Sequence, residues 1–370
     1  YLGTYGAGKY GAQNSIGWTQ MGNSKLKWET TETFDLGIDG ALFDGRLNFE
    51  FAYWQKNSKD LVMNVPTPPS LGIPYNRYAD NIGKIKNSGI EFTLGAYIFQ
   101  NKDFTWHADF NFSTLKNTVK ELYGGNDIIN TYTIVREGES YNAIYGYEYY
   151  GVNKTNGNPI WVKADGSYVQ LDTFGDYDYH VYDPSNPSDV SQDSSLSTSD
   201  KKVLGNSIPT WFGGLTNTFT WKNFDASIFV RFSGGNKIMN VDRQEMLLNL
   251  GFENQGKEVL GRWQSEANPG DGMTPKIGYY LFNTDAADSH FVENGTYLKL
   301  ATVTLGYTFP KKWLSSLGVT KTRVYVQGQN LLTWTSFKGL DPETFATDTS
   351  FSYASMPQQR SFTMGVNVTF

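Results

Sequence analysis

Residues 360–370 read RSFTMGVNVTF, and this stretch decides the fold class. Apolar and polar residues alternate in it without a break, which is the two-residue period of a β-strand and not the period of a helix. One face of that strand carries the apolar residues Phe362, Met364, Val366, Val368 and Phe370. The stretch therefore predicts a strand that separates an apolar environment from a polar one.

The same alternation recurs along the chain and predicts nine strands, arranged as four hairpins followed by a last single strand. Asp44-Gly45, a strong hairpin turn signal, separates the first two strands. The nine predicted strands are 33–42, 47–53, 90–98, 104–112, 215–221, 224–232, 297–309, 320–334 and 360–370.

The connections between these strands alternate between short and long. Short turns fall near Asp44, Lys102, Lys222 and Lys312, and the long connections are 57–87, 115–210, 234–295 and 335–359. Outer-membrane barrels have short turns on one rim and long extracellular loops on the other. Aromatic residues make up 16% of the chain, yet the mean hydropathy is only −0.46, which suits strands that are apolar on one face. The sequence thus predicts an all-β, transmembrane antiparallel β-barrel.

Several other classes of protein find little support. The chain has no cysteine, so disulfide and thiolate chemistry are excluded, and its net charge of −6 argues against nucleic acid as a partner. The histidines His107, His180 and His290 are far apart in sequence and form no catalytic pattern. We therefore expect no enzymatic activity, no cofactor and no metal site.

Nine strands do not make a complete bacterial barrel, because an even number is expected and an open edge would leave backbone groups unpaired in lipid. We expect the strands at 33–42 and 360–370 to pair with strands outside this chain. Residues 1–32 are assigned to an extracellular loop segment, and 33–370 to the nine strands with their loops.

A set of short motifs, in order, resembles the C-terminal part of SusC/RagA-like TonB-dependent transporters. The motifs are LKWETT at 26–31, NIGKIKNSGIE at 81–91, GNSIPTWFGG at 205–214, YLKLATVTLGYTFP at 297–310, QNLL at 329–332 and GLDPE at 339–343. The resemblance implies the last nine strands of a 22-strand barrel, with the plug domain and the earlier strands absent from this chain.

The resemblance also implies a function and a set of partners. It points to an outer-membrane, TonB-dependent importer of oligosaccharides or peptides, which works with a SusD-like lipoprotein lid. The remainder of the transporter, as a separate chain or missing piece, would carry the contact with TonB. An alternative is a soluble or surface-attached β-rich adhesin or glycan-binding module, whose strands would show the same alternation.

The connection 115–210 is rich in aromatic residues, and Tyr145, Tyr149 and Trp161 are candidates for contact with cargo. Aromatic faces stack on sugar rings and anchor peptides. The alternative is that these rings pack the loop into a small core of its own. The acidic stretch Asp189-Val190-Ser191-Gln192-Asp193 departs from a calcium loop, because it lacks the turn glycine, and reads as a solvated loop.

Four polar residues are predicted to face the lumen, where they would meet a plug domain or passing cargo. They fall on the polar phase of their strands and are Arg231, Arg323, Gln327 and Gln329. A segment at 236–263 has partly helical spacing and is expected either to cover the barrel mouth or to contact the lid.

Overall fold

The computed structural model describes residues 2–173, 177–247, 254–278, 286–314, 318–344 and 351–370. No helix in these residues is long and apolar enough to span a membrane.

The dominant element is an antiparallel sheet in which each of nine strands pairs with the next one along the chain. Its strands are β1 (Thr30–Leu42), β2 (Leu47–Pro66), β3 (Arg77–Gln100), β4 (Phe104–Thr114), β5 (Trp211–Trp221), β6 (Phe224–Gly234), β7 (Tyr297–Thr308), β8 (Lys321–Thr335) and β9 (Ser361–Thr369). These correspond one for one to the nine predicted strands, which confirms the predicted meander. Within the described residues, β1 and β9 lie at opposite edges and do not pair with each other.

The connection predicted at 57–87 is wrong in its extent. Strand β2 continues to Pro66 and β3 begins at Arg77, so only residues 67–76 connect them. Segments 57–65 and 78–86 pair with each other as strands, although polar residues interrupt the apolar alternation. Backbone hydrogen bonds pair these segments beyond the apolar part of the sheet, where no apolar face toward lipid is required.

A bulge in β7 changes which side chains share a face. The register between β7 and both neighbours shifts around Ala301. A bulge inserts an extra residue, so side chains before and after it alternate in opposite phase. Tyr297 and Lys299 therefore lie on the polar face, whereas Val303 and Leu305 lie on the apolar one. Alternation counted straight through the strand would place Tyr297 on the apolar face instead.

Three further sheets lie outside the main one. A hairpin of Thr4–Tyr10 and Gln13–Gln20 lies in the segment assigned to a loop. The strand Lys116–Glu121 extends the main sheet by pairing with β3. A second sheet contains Ile128–Ile129, Thr133–Val135, Ala143–Val152, Pro159–Val162, Tyr168–Leu171, Tyr179–Val181, Lys202–Gly205 and Ala287–Asp288. A third contains Lys237–Asn240, Val292–Asn294 and Phe351–Ser352.

Helices are short throughout the described chain. The α-helices are α1 (Val241–Met246) and α2 (Lys311–Leu314), and the 3₁₀ turns are Pro69–Leu71, Pro74–Asn76, Tyr123–Gly125, Thr198–Asp200, Lys257–Gly261 and Ser289–Phe291. The segment at 236–263 is helical only in part, because it begins as the strand Lys237–Asn240. Its positions 248–253 lie outside the described residues.

The buried core lies in the long connections rather than on the main sheet. Its largest cluster joins apolar side chains from three regions, namely Ile144, Tyr147, Tyr149, Trp161, Val169, Leu171, Met239, Val241, Leu247, Ala286, Ala287 and Phe291. We call this cluster the loop core. The connections 115–210 and 234–295 therefore share one core instead of folding independently.

Candidate functional site

The strand register shows which side chains share each face of the main sheet. Residues directly opposite in an antiparallel pair lie on the same face. Val366 lies opposite Val324, whereas Asn367 lies opposite Arg323. Arg323, Gln327 and Gln329 are thus on the polar face, as their alternation predicts, and their contact with a plug or with cargo remains a prediction.

An ion pair crosses the polar face close to the short turns. Arg323 Nε donates to Asp225 Oδ1 at 2.9 Å, and its Nη2 donates to the second carboxylate oxygen, Oδ2. The guanidinium also lies 5.0 Å from the centre of the Tyr325 ring. Gly306 lies between the two charges, and a Cβ there would come within 2.5 Å of Arg323 Nη2. The glycine therefore leaves room for this bidentate pair.

A second group of charges lies further from the short turns, and we call it the polar-face cluster. Arg231 Nη2 donates to Glu343 Oε2 at 2.7 Å, and Lys299 Nζ donates to Asp341 Oδ2 at 3.1 Å. Lys299 also contacts the Glu343 carboxylate, and the Tyr297 hydroxyl donates to Glu343 Oε1 at 2.7 Å. Two cations thus face two carboxylates across the joint between the sheet and the connection after β8.

Burial makes this pairing necessary. The Lys299 side chain is 1% exposed and that of Asp341 is 8% exposed. A buried charge without a partner is strongly unfavourable, so the buried Lys299 ammonium and the carboxylates of Asp341 and Glu343 need one another. Asp341 Oδ1 also accepts the backbone N–H of Glu343 at 3.0 Å. This hydrogen bond closes a turn in which both carboxylates contact Lys299 of the sheet. In this arrangement Arg231 contacts the chain's own Glu343, and the contact predicted for it with a plug or cargo is untested.

The three aromatic cargo candidates are buried. The exposed fractions of Tyr145, Tyr149 and Trp161 are 6%, 7% and 2%. Tyr149 and Trp161 meet edge to face with ring centroids 5.7 Å apart, and the Tyr149 hydroxyl donates to the carbonyl of Met273 at 2.9 Å. The burial favours packing, which was the alternative to cargo contact. Tyr149 and Trp161 belong to the loop core, whereas Tyr145 packs in a separate cluster with Ile134 and Ala143. Contact of these rings with cargo stays a prediction.

The loop core contains one buried carboxylate. Asp288 Oδ2 accepts the indole N–H of Trp161 at 2.6 Å, and its Oδ1 accepts the backbone N–H of His290 at 2.8 Å. Burial raises the pKa of Asp288 to about 7, against the opposing effect of these hydrogen bonds. Burial also lowers the pKa of His290 to about 3. The core therefore holds a neutral imidazole beside a carboxyl group that titrates near neutrality.

A buried arginine ties the third sheet to its helix. Arg243 of α1 donates from Nε to Glu258 Oε2 at 2.7 Å, and its Nη1 lies 3.3 Å from Glu293 Oε1. These hydrogen bonds from Arg243 hold the pKa of Glu258 at about 2 despite its burial. The Asn240 side chain caps α1 by accepting the backbone N–H of Arg243 at 3.0 Å. This network fixes the region that the sequence predicted to be partly helical.

Sequence reasoning missed Lys299, Asp341, Glu343 and Asp288. Lys299 lies in the motif at 297–310, and Asp341 and Glu343 lie in the motif at 339–343, but nothing local in either stretch indicates that the two meet. Asp288 gave no signal, since its partner Trp161 lies 127 residues earlier. Within the described parts of the chain, no group of three or more His, Asp or Glu side chains is placed to hold a metal ion.

Comparison with known proteins gives a consistent result. The profile described as "TonB dependent receptor-like, beta-barrel" matches residues 1–198. The chain is 33% identical to TonB-dependent receptor P3 of Formosa agariphila, over 96% of this chain and 36% of that protein. It is 27% identical to TonB-dependent receptor SusC of Bacteroides thetaiotaomicron, over 94% of this chain and 32% of that protein. The chain thus spans about a third of the length of these relatives.

A solved structure agrees with the sequence relatives. The structure of the RagAB peptide transporter superposes with a TM-score of 0.83 and 25% identity, over 100% of this chain and 39% of that chain. Together these matches confirm the predicted resemblance and the predicted fold class. They also confirm that the chain is not an enzyme, since TonB-dependent receptors are outer-membrane transporters. The chain belongs to the TonB-dependent receptor family, as a SusC- and RagA-like stretch of its transmembrane β-barrel.

Proposed function

We propose that the protein imports oligosaccharides or peptides across the outer membrane, taking them from a SusD-like lipoprotein lid and moving them past a plug that TonB displaces. The observation that carries this proposal is the polar face of the nine-stranded sheet, against which the chain's own long connection packs through the polar-face cluster. A polar face that binds a polar segment of the chain, through the paired charges of the polar-face cluster, suits the passage of polar cargo.

The chemistry proposed is binding and gating. The ion pair of Arg323 with Asp225 and the polar-face cluster leave no excess charge of either sign among their members. Around these two groups the surface is balanced in charge and offers weak hydrogen-bonding contacts to many polar groups. One structural neighbour is a peptide transporter by name, which supports peptides as one of the two cargo classes.

Import is tested in cells that carry the protein in their outer membrane. Fluorescent oligosaccharides and fluorescent peptides are offered separately, and accumulation inside the cell is compared between a parent strain and a strain without TonB. We expect one cargo class to accumulate only when TonB is present, while binding at the cell surface persists without it. Accumulation that is independent of TonB would contradict active import.

The lid is tested by purifying the protein in mild detergent and identifying what copurifies. The described parts of the connections 115–210 and 234–295 share the loop core, so they pack together rather than as separate loops. Stable interfaces bury at least about 1,200 Å² in total, so a lid would cover much of the surface that these connections form together. A surface lipoprotein should copurify in a fixed ratio, and its consistent absence would contradict the lid. Family membership argues against the alternative of a soluble adhesin.

A further inference from the structure

The apolar face of the sheet carries a groove close to the short turns. It has a volume of about 620 Å³ and crosses β5, β6, β7, β8 and β9. Its floor is Ala226, which lies opposite Phe219 on one side and Leu305 on the other. The small alanine between two large neighbours leaves the depression. A volume in the range of about 300–1,000 Å³ is typical of small-molecule sites.

Aromatic residues form the end of the groove that lies nearest the turns. Trp221, Phe224 and Tyr307 lie opposite one another in the register, one residue pair from the turn 222–223. Phe224 and Tyr307 are in contact, with ring centroids 4.7 Å apart. Aromatic rings of this kind mark the membrane–water interface of barrels. The groove therefore begins at headgroup depth and runs into the hydrocarbon region.

The turns beside this end are basic, although the chain as a whole has a net charge of −6. The four short turns are 43–46, 101–103, 222–223 and 309–320. They contain five basic residues and two acidic ones, a balance of +3, namely Arg46, Lys102, Lys222, Lys311 and Lys312 against Asp44 and Asp103.

Three of the five basic residues lie in the two turns that flank the groove. Lys222 follows Trp221 directly, and its Nζ lies 5.9 Å from the centre of that ring. Lys311 begins α2, four residues after Tyr307. Basic side chains at a membrane surface attract anionic headgroups. An apolar groove that ends in aromatic rings and then in lysines matches a phospholipid, with its acyl chain, glycerol and phosphate in that order.

We propose that this groove is a binding site for an anionic phospholipid, with one acyl chain over Ala226 and the phosphate beside Lys222 and Lys311. The site lies on the lipid-facing surface, apart from the polar face that cargo would follow. The lipid would be a resident component that seats this part of the barrel in its leaflet. Ordinary contact with bulk lipid would show no preference for headgroup charge.

The test uses the intact protein, purified in detergent and exposed to an equal mixture of phosphatidylglycerol and phosphatidylcholine with the same acyl chains. Bound lipid is counted by native mass spectrometry. We expect the parent to retain phosphatidylglycerol in preference to phosphatidylcholine. The Lys222→Gln/Lys311→Gln variant should lose that preference by about 30-fold, because each of the two lysines near the headgroup contributes on the order of 1 kcal/mol.

Two matched controls separate a site from general effects. Arg46→Gln/Lys102→Gln removes two charges from the same rim but away from the groove, and should keep the preference. Ala226→Phe fills the groove and should lose the retained lipid, whereas Ala108→Phe, on the same face outside the groove, should keep it. Equal retention by all four variants, or a groove filled by a second copy of the protein as a dimer, would overturn the proposal. The lysine variants change only exposed side chains, so they stay informative if Ala226→Phe does not fold.

Discussion

Replacing Glu343 by glutamine removes one negative charge from the polar-face cluster and leaves its shape almost unchanged. The glutamine oxygen can still accept the hydrogen bond from the Tyr297 hydroxyl. Lys299, 1% exposed, and Arg231, 33% exposed, are then left with the single carboxylate of Asp341 between them. Removing one partner of a buried ion pair costs about 3–5 kcal/mol. The partial exposure of Arg231 places the cost at the lower end, about 3 kcal/mol.

This cost should appear as local opening of the connection after β8. Lys338 lies in that connection, and its backbone N–H donates to Glu293 at 2.7 Å, so trypsin reaches the bond after it only when the segment opens. A loss of about 3 kcal/mol corresponds to roughly a 100-fold increase in opening. Cleavage after Lys338, followed by mass spectrometry in detergent, measures it.

The matched control is Glu121→Gln, which breaks an exposed ion pair with Lys84. Exposed pairs contribute about 0–1 kcal/mol, so this variant should be cleaved like the parent. If Glu343→Gln and Glu121→Gln are cleaved at the same rate, the polar-face cluster does not anchor the connection. The proposed structural role of Lys299 would then be wrong.

Three further outcomes are expected. Val366→Arg should destabilise the folded barrel in vesicles by about 2–4 kcal/mol if the residue lies near the membrane midplane, while Asn367→Arg on the polar face should be tolerated. Urea titration measures both free energies of unfolding, and equal effects would contradict the assignment of faces. Trp161→Ala should cost about 3–5 kcal/mol and lower the yield of folded protein, because the ring is 2% exposed; normal yield with weakened cargo binding would instead support the cargo role. The Asp288 pKa lies at about 7 in the folded chain against 3.8 when unfolded, so the folded loop core holds a proton that the unfolded chain releases. The protonated Asp288 therefore contributes to stability at low pH, and this contribution is lost as pH rises from about 4 to 7. Proteolysis of the parent should become faster over this range, whereas proteolysis of Asp288→Asn should not. A parent that is cleaved at the same rate across the range would refute the prediction.

The sequence predicts the main sheet well because one physical demand governs it. Every strand needs an apolar face toward lipid and a polar face away from it, so the period of two is visible without knowledge of any partner. The sequence does not reveal the ends of β2 and β3, where that demand stops and the paired strands no longer need an apolar face. The bulge at Ala301 was missed because a single extra residue leaves the alternation on each side intact.

The site could be predicted only in part. Arg323, Gln327 and Gln329 are on the polar face because their phase follows from local alternation. The partners of Lys299 lie 42 and 44 residues away and belong to a connection without periodicity, so no local pattern reports them. The aromatic residues at 145, 149 and 161 illustrate a different limit. Composition locates aromatic rings in a loop, but packing decides whether they face inward, and here it buries them.

The pairing of Ala287–Asp288 with Ala143–Val152 has a consequence for how the protein is assembled. The two strands run parallel and meet at Gly146 and Tyr147, although more than 130 positions separate them along the chain. Closing so long a segment costs considerable conformational entropy before its contacts form. The indole of Trp161 and its acceptor Asp288 belong to the two connections on either side of β5 and β6. The shared core is therefore complete only when both connections are in place, so a change in one connection should disturb the fold of the other.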